Sequence, residues 1–422
     1  MVCAIAILLF RYPTISFFIN LLIFSINCLS VICINFFGLS IYIYLYFYKG
    51  NLINREFFWS KLSMRKNKIV LGIESSCDET SVSIVKEKTK FEQEILSNIV
   101  NSQVKIHEKS GGVIPEMAAR SHSTVIDKLI ITAVNKANIK LNEIDAVAAT
   151  AGPGLLGGLI VGVVAAKTLA SVLNKPFIAI NHLEGHALSA KLEHKIEYPY
   201  LLLLVSGGHT EFTIINGFND YHRIGTTLDD ALGEAFDKSA RVLGFKYPGG
   251  PEIEKHAKKG DKNKYKFPKP IISQKNCHFS FSGLKTAVAH TVASNKNINA
   301  KFKNDIAASF QKTICDILEI KTKRAIFEFK NKHPNKKTTI VVAGGVAANQ
   351  EIKKIFKNMG KESNYDVFFP SLYLCTDNAA MIAYAGLERL RRKKINSLKF
   401  APKPRWPLDK DAAFLKGKRI DA

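Results

Sequence analysis

Three apolar segments of this chain run directly into glycine-rich turns, and this pattern constrains the fold more than any other. The turns are Gly152-Pro153-Gly154, Ser206-Gly207-Gly208 and Gly344-Gly345. A short apolar run bounded by glycine is typical of a buried strand. Glycine after a strand lets the backbone reach positive φ and approach a ligand closely. The pattern predicts an α/β protein whose strand ends carry a binding site.

The stretches around these turns indicate two similar halves. KIVLGIES followed by TSVSIVK alternates like a β-hairpin, and YLLLLVSGGHTEFTIIN forms a second strand–turn–strand unit. Amphipathic spacing predicts helices over residues 121–137 and 377–392. We therefore expect two related lobes.

The glycine turns also bear on the class of ligand. Main-chain N–H groups in such turns can bind phosphate. None of the three matches the Rossmann or the P-loop pattern, which disfavours those two folds. A single glycine pair is more often an ordinary turn, but three at strand ends favour nucleotide binding.

The charge balance is strongly basic, with 60 Lys and Arg against 36 Asp and Glu and a net charge of +24. Excluding residues 1–63 removes four basic and one acidic side chain and leaves +21. Such a surplus suits a polyanionic partner, either nucleic acid or an anionic membrane, although an AT-rich genome also enriches lysine. The seven scattered cysteines include no Cys-x-x-Cys pair, which favours a reducing compartment without a structural zinc finger.

Residues 1–63 differ from the rest of the chain. Residues 12–48 contain no charged side chain, and roughly 20 apolar residues suffice to span a bilayer. One interpretation is a membrane segment, with the basic residues that follow it on the cytoplasmic side. The other is a mis-assigned start, because Met64 lies just before the strand expected at Ile69. We favour the mis-assigned start, and mass spectrometry of the native N-terminus distinguishes the two.

The segment INHLEGHA places His182 and His186 four residues apart, on one face of a helix. Two imidazoles so placed can bind one metal ion, but the spacing is also typical of a solvated helix face. The zincin motif needs a glutamate directly after the first histidine, whereas Glu184 is the second residue after it. A metalloprotease is therefore disfavoured, and the pair alone leaves the other two interpretations open.

The segment LDDALGEAFDKSARVLG predicts an acidic helix. Asp230, Glu234 and Asp237 are spaced i, i+4 and i+7 and would share one face, with Asp229 beside them. This face is either solvated or holds a ribose or an adenine edge. The rigid turn at residues 247–251 would border the same pocket.

Eleven stretches together carry a resemblance to a known family: GIESSCDET, GGVIPEMAAR, TAGPGLLGGL, NHLEGH, LLVSGGHTEF, DDALGEAFDKSARVLG, YPGGPEIEK, FSFSGLKTAV, VVAGGVAAN, CTDNAAMIAYAG and PRWPL. They resemble the tRNA N6-adenosine threonylcarbamoyltransferases of the bacterial and organellar type. They occur in the family's order and cover nearly all of residues 68–408. A match of this extent is far more specific than any single motif.

The resemblance implies an α/β, two-lobed actin/Hsp70-like fold with a nucleotide cleft between the lobes. Residues 64–198 and the C-terminal segment 395–422 would form the N-terminal lobe, and residues 199–394 the C-terminal lobe. The implied reaction moves the threonylcarbamoyl group from threonylcarbamoyl-AMP to N6 of the adenosine 3′ of the anticodon. The substrates would be tRNAs that read codons beginning with A, and AMP would be released.

The resemblance also implies site residues. His182, His186 and Asp377 correspond to the family's metal ligands, with Fe²⁺ the first expectation and Zn²⁺ the second. Asp78 and Glu79 lie at the cleft in this family, with either a catalytic role toward the tRNA amine or a structural one; Glu254 is a further candidate contact to the ribose. The implied substrate contacts are Leu204, Val205, Ser206, Gly207, Gly208, Asp237, Gly250 and Asn349.

The implied partners are tRNA and either a paralogous same-fold protein with a small ATPase or a second copy of the chain. We expect a cytoplasmic location, with membrane contact only if residues 1–63 are translated. The alternatives are a metal-dependent glycoprotein endopeptidase, a non-catalytic nucleotide-binding scaffold and a kinase of the same fold. The position of Glu184 disfavours the first, and the implied metal triad disfavours the other two.

Overall fold

The computed structural model describes residues 29–36, 39–46, 67–89, 92–108 and 112–412. The chain divides into two compact units, Met1–Arg65 and Lys66–Ala422. In the first unit, β1 (Leu29–Phe36) pairs antiparallel with β2 (Leu39–Tyr46), and the rest of the predicted extension lies outside the described residues. None of the helices within the described ranges is both long and apolar enough to cross a membrane.

The second unit contains two five-stranded sheets. The first sheet has the order β5-β4-β3-β6-β7. The predicted hairpin is confirmed, because β3 pairs antiparallel with β4, whereas β6 and β7 extend the sheet in parallel. Its strands are β3 (Ile69–Glu74), β4 (Glu79–Glu87), β5 (Gln93–Ser102), β6 (Ala146–Gly152) and β7 (Phe177–Asn181). The helices that accompany this sheet are α1 (Val104–His107), α2 (Pro115–Lys136), α3 (Leu156–Val172) and α4 (His182–Ser189).

The second sheet repeats this topology with the order β10-β9-β8-β11-β12. Two antiparallel pairings lie on one side of β8 and two parallel pairings on the other, which confirms two related lobes. Its strands are β8 (Tyr200–Val205), β9 (Thr210–Gly217), β10 (Asp220–Thr226), β11 (Thr339–Ala343) and β12 (Asp366–Phe368). The later helices are α5 (Leu232–Val242), α6 (Gly249–Ala257), α7 (Ser282–Ala293), α8 (Ala300–Lys332), α9 (Gln350–Ser363), α10 (Leu372–Cys375) and α11 (Ala379–Arg391).

Strand β8 joins two parts of the core, because it is apolar and buried at every position. Alternate residues of a strand face opposite sides of the sheet. Leu201 and Leu203 therefore pack into the core of the second lobe, and Leu202 packs with Leu183 and Ala187 of α4. This second contact fixes α4, the helix that carries both histidines, against the second sheet.

The predicted lobe boundary at residue 394 assigns the last helix, α11, to the second lobe, but the helix packs on the first. It packs on the first sheet, where a Cβ added at Gly72 would lie 2.5 Å from the main-chain nitrogen of Ala383. Glycine is therefore needed in β3 for this close approach. The following segment also lies on the first lobe, since Asn396 bridges to Phe177 of β7.

Helix starts are the other point of difference. Helix α2 begins at Pro115, six residues before the predicted residue 121, because proline suits the first turn of a helix. Helix α11 begins at Ala379 rather than at residue 377. The Asn378 side chain accepts hydrogen bonds from Ala380 N and Met381 N, an N-cap that leaves Asp377 outside the helix.

Candidate metal centre and nucleotide cleft

The two histidines lie on α4, which begins directly after β7. Asn181 caps this helix by accepting a hydrogen bond from Leu183 N. The rings of His182 and His186 are perpendicular, with centroids 4.7 Å apart. Both side chains are buried, so the solvated-face interpretation of the pair is wrong.

Asp377 completes the cluster from the turn before α11. Its Oδ1 lies 3.0 Å from His186 Nε2 and 3.5 Å from His182 Nε2. One ligand atom from each of the three residues lies within 4.8 Å of the others. The structure therefore brings together the three side chains that the resemblance implied as ligands.

Glu74, the last residue of β3, holds the ring of His182 from behind. Its Oε2 lies 3.1 Å from His182 Nδ1, and Ser76 Oγ lies 3.2 Å from the same nitrogen. The fully buried carboxylate also accepts hydrogen bonds from Ser76 N at 2.7 Å and Thr150 Oγ1 at 2.5 Å. With Nδ1 donating to Glu74, the lone pair of a neutral ring is on Nε2, which faces Asp377.

The electrostatics of this cluster are strongly coupled. Burial alone would lower the pKa of His182, but the carboxylates of Asp377 and Glu74 outweigh it and raise that pKa to about 9. Burial opposes ionisation of Asp377, yet the neighbouring histidines hold its pKa well below the usual range. His186 Nδ1 is buried without a hydrogen-bond partner among the described residues.

The turn after β8, residues 206–209, is called the SGGH turn here. Ser206 N donates to His209 O at 2.8 Å, and His209 N donates to Ser206 Oγ at 3.1 Å. A Cβ added at Gly207 or Gly208 would meet nothing within 4 Å, so the turn presents open main chain. Burial, then the charges of His182 and His186, lower the pKa of His209 to about 4, which places the turn beside the histidine cluster.

Two of the predicted substrate contacts lie deeper than expected. Leu204 and Val205 have no exposed surface, because they are the last residues of β8 and their side chains pack into the core. Their side chains therefore do not reach the cleft, and the open part of the motif is Gly207 and Gly208.

Asp78 and Glu79 lie where β3 turns into β4. Two hydrogen bonds fix the main chain of this turn: His122 Nε2 donates to Cys77 O at 3.0 Å, and Gln103 N donates to Asp78 O at 3.0 Å. Burial, then the charges of Asp377 and Asp78, raise the pKa of Glu79 well above its ordinary value. The charge of Asp377 therefore reaches Glu79 at this turn.

A second group of predicted contacts comes from the other lobe. Asp237 Oδ1 accepts a hydrogen bond from Gly249 N at 2.7 Å, and a Cβ added at Gly250 would meet open space. Burial raises the pKa of Asp237, the bond from Gly249 opposes that shift, and the charge of Asp78 reinforces it. The charge of Asp78 in the first lobe thus acts on Asp237 in the second.

Glu254 and Asn349 meet beside this group. Glu254 Oε1 accepts a hydrogen bond from Gln350 N at 3.1 Å. The Asn349 side chain donates to Gln311 Oε1 at 2.9 Å and caps α9 by accepting from Glu351 N. These bonds occupy both ends of the Asn349 amide, so its contact with a nucleotide stays a prediction.

The predicted acidic helix face is wrong for two of its residues. Helix α5 begins at Leu232, after Asp229 and Asp230. Asp229 Oδ1 instead accepts a hydrogen bond from Phe281 N at 2.8 Å, and Asp230 is buried and ion-paired with Lys238 at 2.9 Å. Both carboxylates are used within the second lobe, and Asp237 is the one that borders the cleft.

Comparison with known proteins decides the family. A profile for tRNA N6-adenosine threonylcarbamoyltransferase matches residues 94–384. The tRNA N6-adenosine threonylcarbamoyltransferase of Pelagibacter ubique is 55% identical over 354 residues, which cover 84% of this chain and 99% of the relative. That of Rickettsia rickettsii is 55% identical over 341 residues, which cover 81% and 98%. The chain belongs to the tRNA N6-adenosine threonylcarbamoyltransferase family.

The fold expected of this family is also confirmed. HypF of T. kodakarensis superposes with a TM-score of 0.53 at 15% identity, over 78% of this chain and 48% of HypF. At that identity the likeness concerns the fold alone. Together with the repeated sheet topology, it shows the two-lobed actin/Hsp70-like architecture that the resemblance implied.

Family membership directs attention to a residue that the sequence reasoning missed. Glu74 was not singled out, although it follows the apolar run of β3 directly. A buried carboxylate at the end of a core strand is costly unless it is hydrogen-bonded or paired. That signal, together with GIES at the head of a family motif, could have identified the residue.

Proposed function

We propose that this chain transfers the threonylcarbamoyl group from threonylcarbamoyl-AMP to N6 of the adenosine 3′ of the anticodon in tRNAs that read codons beginning with A. The observation that carries the proposal is the meeting of His182, His186 and Asp377 beside the open SGGH turn. A cation-binding cluster next to exposed main-chain N–H groups suits a phosphorylated acyl donor. The names of the relatives at 55% identity point to the same reaction.

In this reaction a C–N bond forms between adenosine N6 and the carbamoyl carbon, and the bond from that carbon to the AMP phosphate oxygen breaks. AMP leaves with the bonding electron pair, and N6 loses one proton. The SGGH turn would bind the phosphate through its main-chain N–H groups. Asp78 or Glu79, at the turn between β3 and β4, would accept the N6 proton.

We further propose that His182, His186 and Asp377 hold one divalent metal ion, Fe²⁺ in the first place and Zn²⁺ as the alternative. The mixed nitrogen and oxygen donor set suits either ion, and the Nε2 atoms of both histidines lie within 3.5 Å of Asp377 Oδ1. When bound, the ion would supply Lewis-acid polarisation of the carbamoyl oxygen. Glu74 and Ser76 would orient the ring of His182.

The decisive experiment for the activity is reconstitution with threonine, bicarbonate, ATP, the partner synthase and unmodified tRNA. The expected product is N6-threonylcarbamoyladenosine, detected by mass spectrometry of digested tRNA. A His182→Ala, His186→Ala variant should lose both bound metal and product while keeping its circular dichroism spectrum. Absence of the modified nucleoside with every partner set would refute the proposal.

One observation argues against the endopeptidase alternative. Glu184 has no exposed surface, and its Oε2 lies 2.6 Å from Arg389 Nη2. Its Oε1 accepts a hydrogen bond from Tyr221 OH at 3.2 Å. Both oxygens of this buried carboxylate are already hydrogen-bonded or ion-paired. Glu184 therefore does not serve as a general base that activates a water molecule.

For partners, we propose tRNA together with a same-fold protein and a small ATPase, or else a second copy of this chain. An exposed apolar row on α3 supports a protein partner, because Leu156, Ile160 and Val164 are each 44–55% exposed and lie one turn apart. Light scattering of an Ile160→Asp, Val164→Asp variant tests this, with loss of the complex expected. We also propose a cytoplasmic location, which cell fractionation tests.

A further inference from the structure

One face of α9 carries a row of lysines that the proposed site does not use. The opposite face packs into the core through Ile352, Phe356 and Met359. The solvent face forms a groove lined by Gln350, Lys353, Lys354, Lys357, Asn358 and Lys361. These positions recur at intervals of three and four residues, so they share one side of the helix.

The charges of this row are largely uncompensated. Lys354, Lys357 and Lys361 are exposed, and none of the three takes part in an ion pair among the described residues. Lys258 and Lys323, in contrast, each have a glutamate partner one turn away. The groove therefore concentrates positive charge on a rigid element, which favours an extended polyanion over a single small anion.

The row begins at the cleft. Gln350, the first residue of α9, donates its main-chain N–H to Glu254, the candidate ribose contact. At 1.5 Å per residue the 14-residue helix runs for about 21 Å away from that point. Lys353, Lys357 and Lys361 recur about 6 Å apart along it, one turn each. A chain of phosphates bound along this face would thus lead to the edge of the nucleotide site.

We propose that this face of α9 binds the sugar–phosphate backbone of tRNA and holds it while the target adenosine enters the cleft. The inference rests on the proposed function. Lysine ammonium groups act as point charges on phosphate and read no base edges. The surface should therefore supply affinity that is independent of sequence and sensitive to salt, leaving the choice of nucleotide to the cleft.

The test compares three double variants of the full chain with the wild type, each in the presence of the partner set that supports modification. Lys354→Glu, Lys357→Glu reverses two charges of the row, and Lys354→Gln, Lys357→Gln removes them with less disturbance of the surface. The matched control is Lys128→Glu, Lys136→Glu, which makes the same charge change at exposed positions of α2. Binding of unmodified tRNA is measured over a series of salt concentrations, alongside KM for tRNA and kcat.

For the charge reversal we expect tRNA Kd and KM to rise by about tenfold or more, with kcat at saturating tRNA kept, because phosphate contacts serve binding. The slope of log K against log salt should shrink by about one per lysine. The glutamine variant should lie between the reversal and the wild type, and the α2 control should match the wild type.

Two outcomes would overturn the inference. One is an active wild type whose two α9 variants bind tRNA as it does. The other is a control weakened as much as the reversal, which would mean that net charge and not this surface sets the affinity. A wild type that forms no modified nucleoside would instead refute the proposed function, so the two failures are distinguishable.

Discussion

Replacing Glu74 by glutamine tests whether the buried carboxylate behind His182 supports metal binding. The substitution keeps the shape of the side chain but removes the charge whose Oε2 lies 3.1 Å from His182 Nδ1. A carboxylate in this position fixes the ring and raises the basicity of its other nitrogen. Loss of such an outer partner typically weakens metal affinity by about 10- to 100-fold, or roughly 1.4–2.7 kcal/mol.

The structure places the single substitution near the lower end of that range. Glutamine keeps an amide oxygen that can accept from His182 Nδ1, and Ser76 Oγ lies 3.2 Å from the same nitrogen, so the ring keeps hydrogen-bond acceptors after Glu74 becomes glutamine. The double variant Glu74→Gln, Ser76→Ala removes both the charge and the serine hydroxyl and should approach the 100-fold end. The difference between the two variants measures how much of the effect is orientation of His182.

The assay is competition for Zn²⁺ against a chromophoric chelator, which reports affinity without any need for turnover. Asp145→Asn is the matched control, since Asp145 is a buried carboxylate of the same lobe that accepts a hydrogen bond from Ile69 N at 2.9 Å. It should lose stability and keep its metal affinity. Zn²⁺ affinity of Glu74→Gln within about twofold of the wild type would refute the reasoning.

Four further substitutions have outcomes that the structure predicts. Glu184→Ala leaves the partly buried guanidinium of Arg389 without its carboxylate, so chemical denaturation should show a loss of about 3 kcal/mol, the lower end for a buried pair, with turnover kept. Lost turnover at unchanged stability would mark Glu184 as a catalytic base instead. Gly233→Ala puts a Cβ 2.7 Å from the carbonyl oxygen that opens the SGGH turn, so kcat/KM and stability should both fall. Gly207→Ala meets open space and should unfold at the wild-type midpoint; identical unfolding curves for the two glycine variants would contradict this. Burial lowers the pKa of Lys321 from 10.5 to about 8. Between these two pH values the unfolded state binds more protons than the folded state, so the free energy of unfolding should rise with pH. Lys321→Met should lack this rise in pH-dependent denaturation.

Local patterns were sufficient for much of the fold. The hairpin of β3 and β4 and the matching unit of β8 and β9 follow from alternation and glycine turns, because both signals are carried by neighbouring residues. Helix starts were less accurate. The start of α5 depends on Asp229, which is hydrogen-bonded to residues 280–282, some fifty positions away, and no window along the sequence contains that contact.

In the candidate site, too, local sequence patterns predicted some features, whereas contacts between distant residues were not predictable. The spacing of His182 and His186 predicts that they share a face, but it does not distinguish a ligand pair from a solvated one. Asp377, 191 residues after His186, entered only through the family resemblance. The predicted contacts of Leu204 and Val205 stay predictions, because a motif read as letters does not separate the open turn from the buried strand that supports it.

The position of Asp377 also relates the metal centre to the two lobes. Helix α10, just before it, packs near the Gly345–Ala348 turn of the second lobe, and α11, just after it, packs on the first sheet. The third ligand therefore lies on a crossing between the lobes, while both histidines lie on α4, which is fixed between the sheets. Because interfaces of packed elements shift as units, a change in the angle between the lobes would move Asp377 relative to the histidines. The distance from Asp377 Oδ1 to His186 Nε2, 3.0 Å here, would therefore change with the arrangement of the lobes.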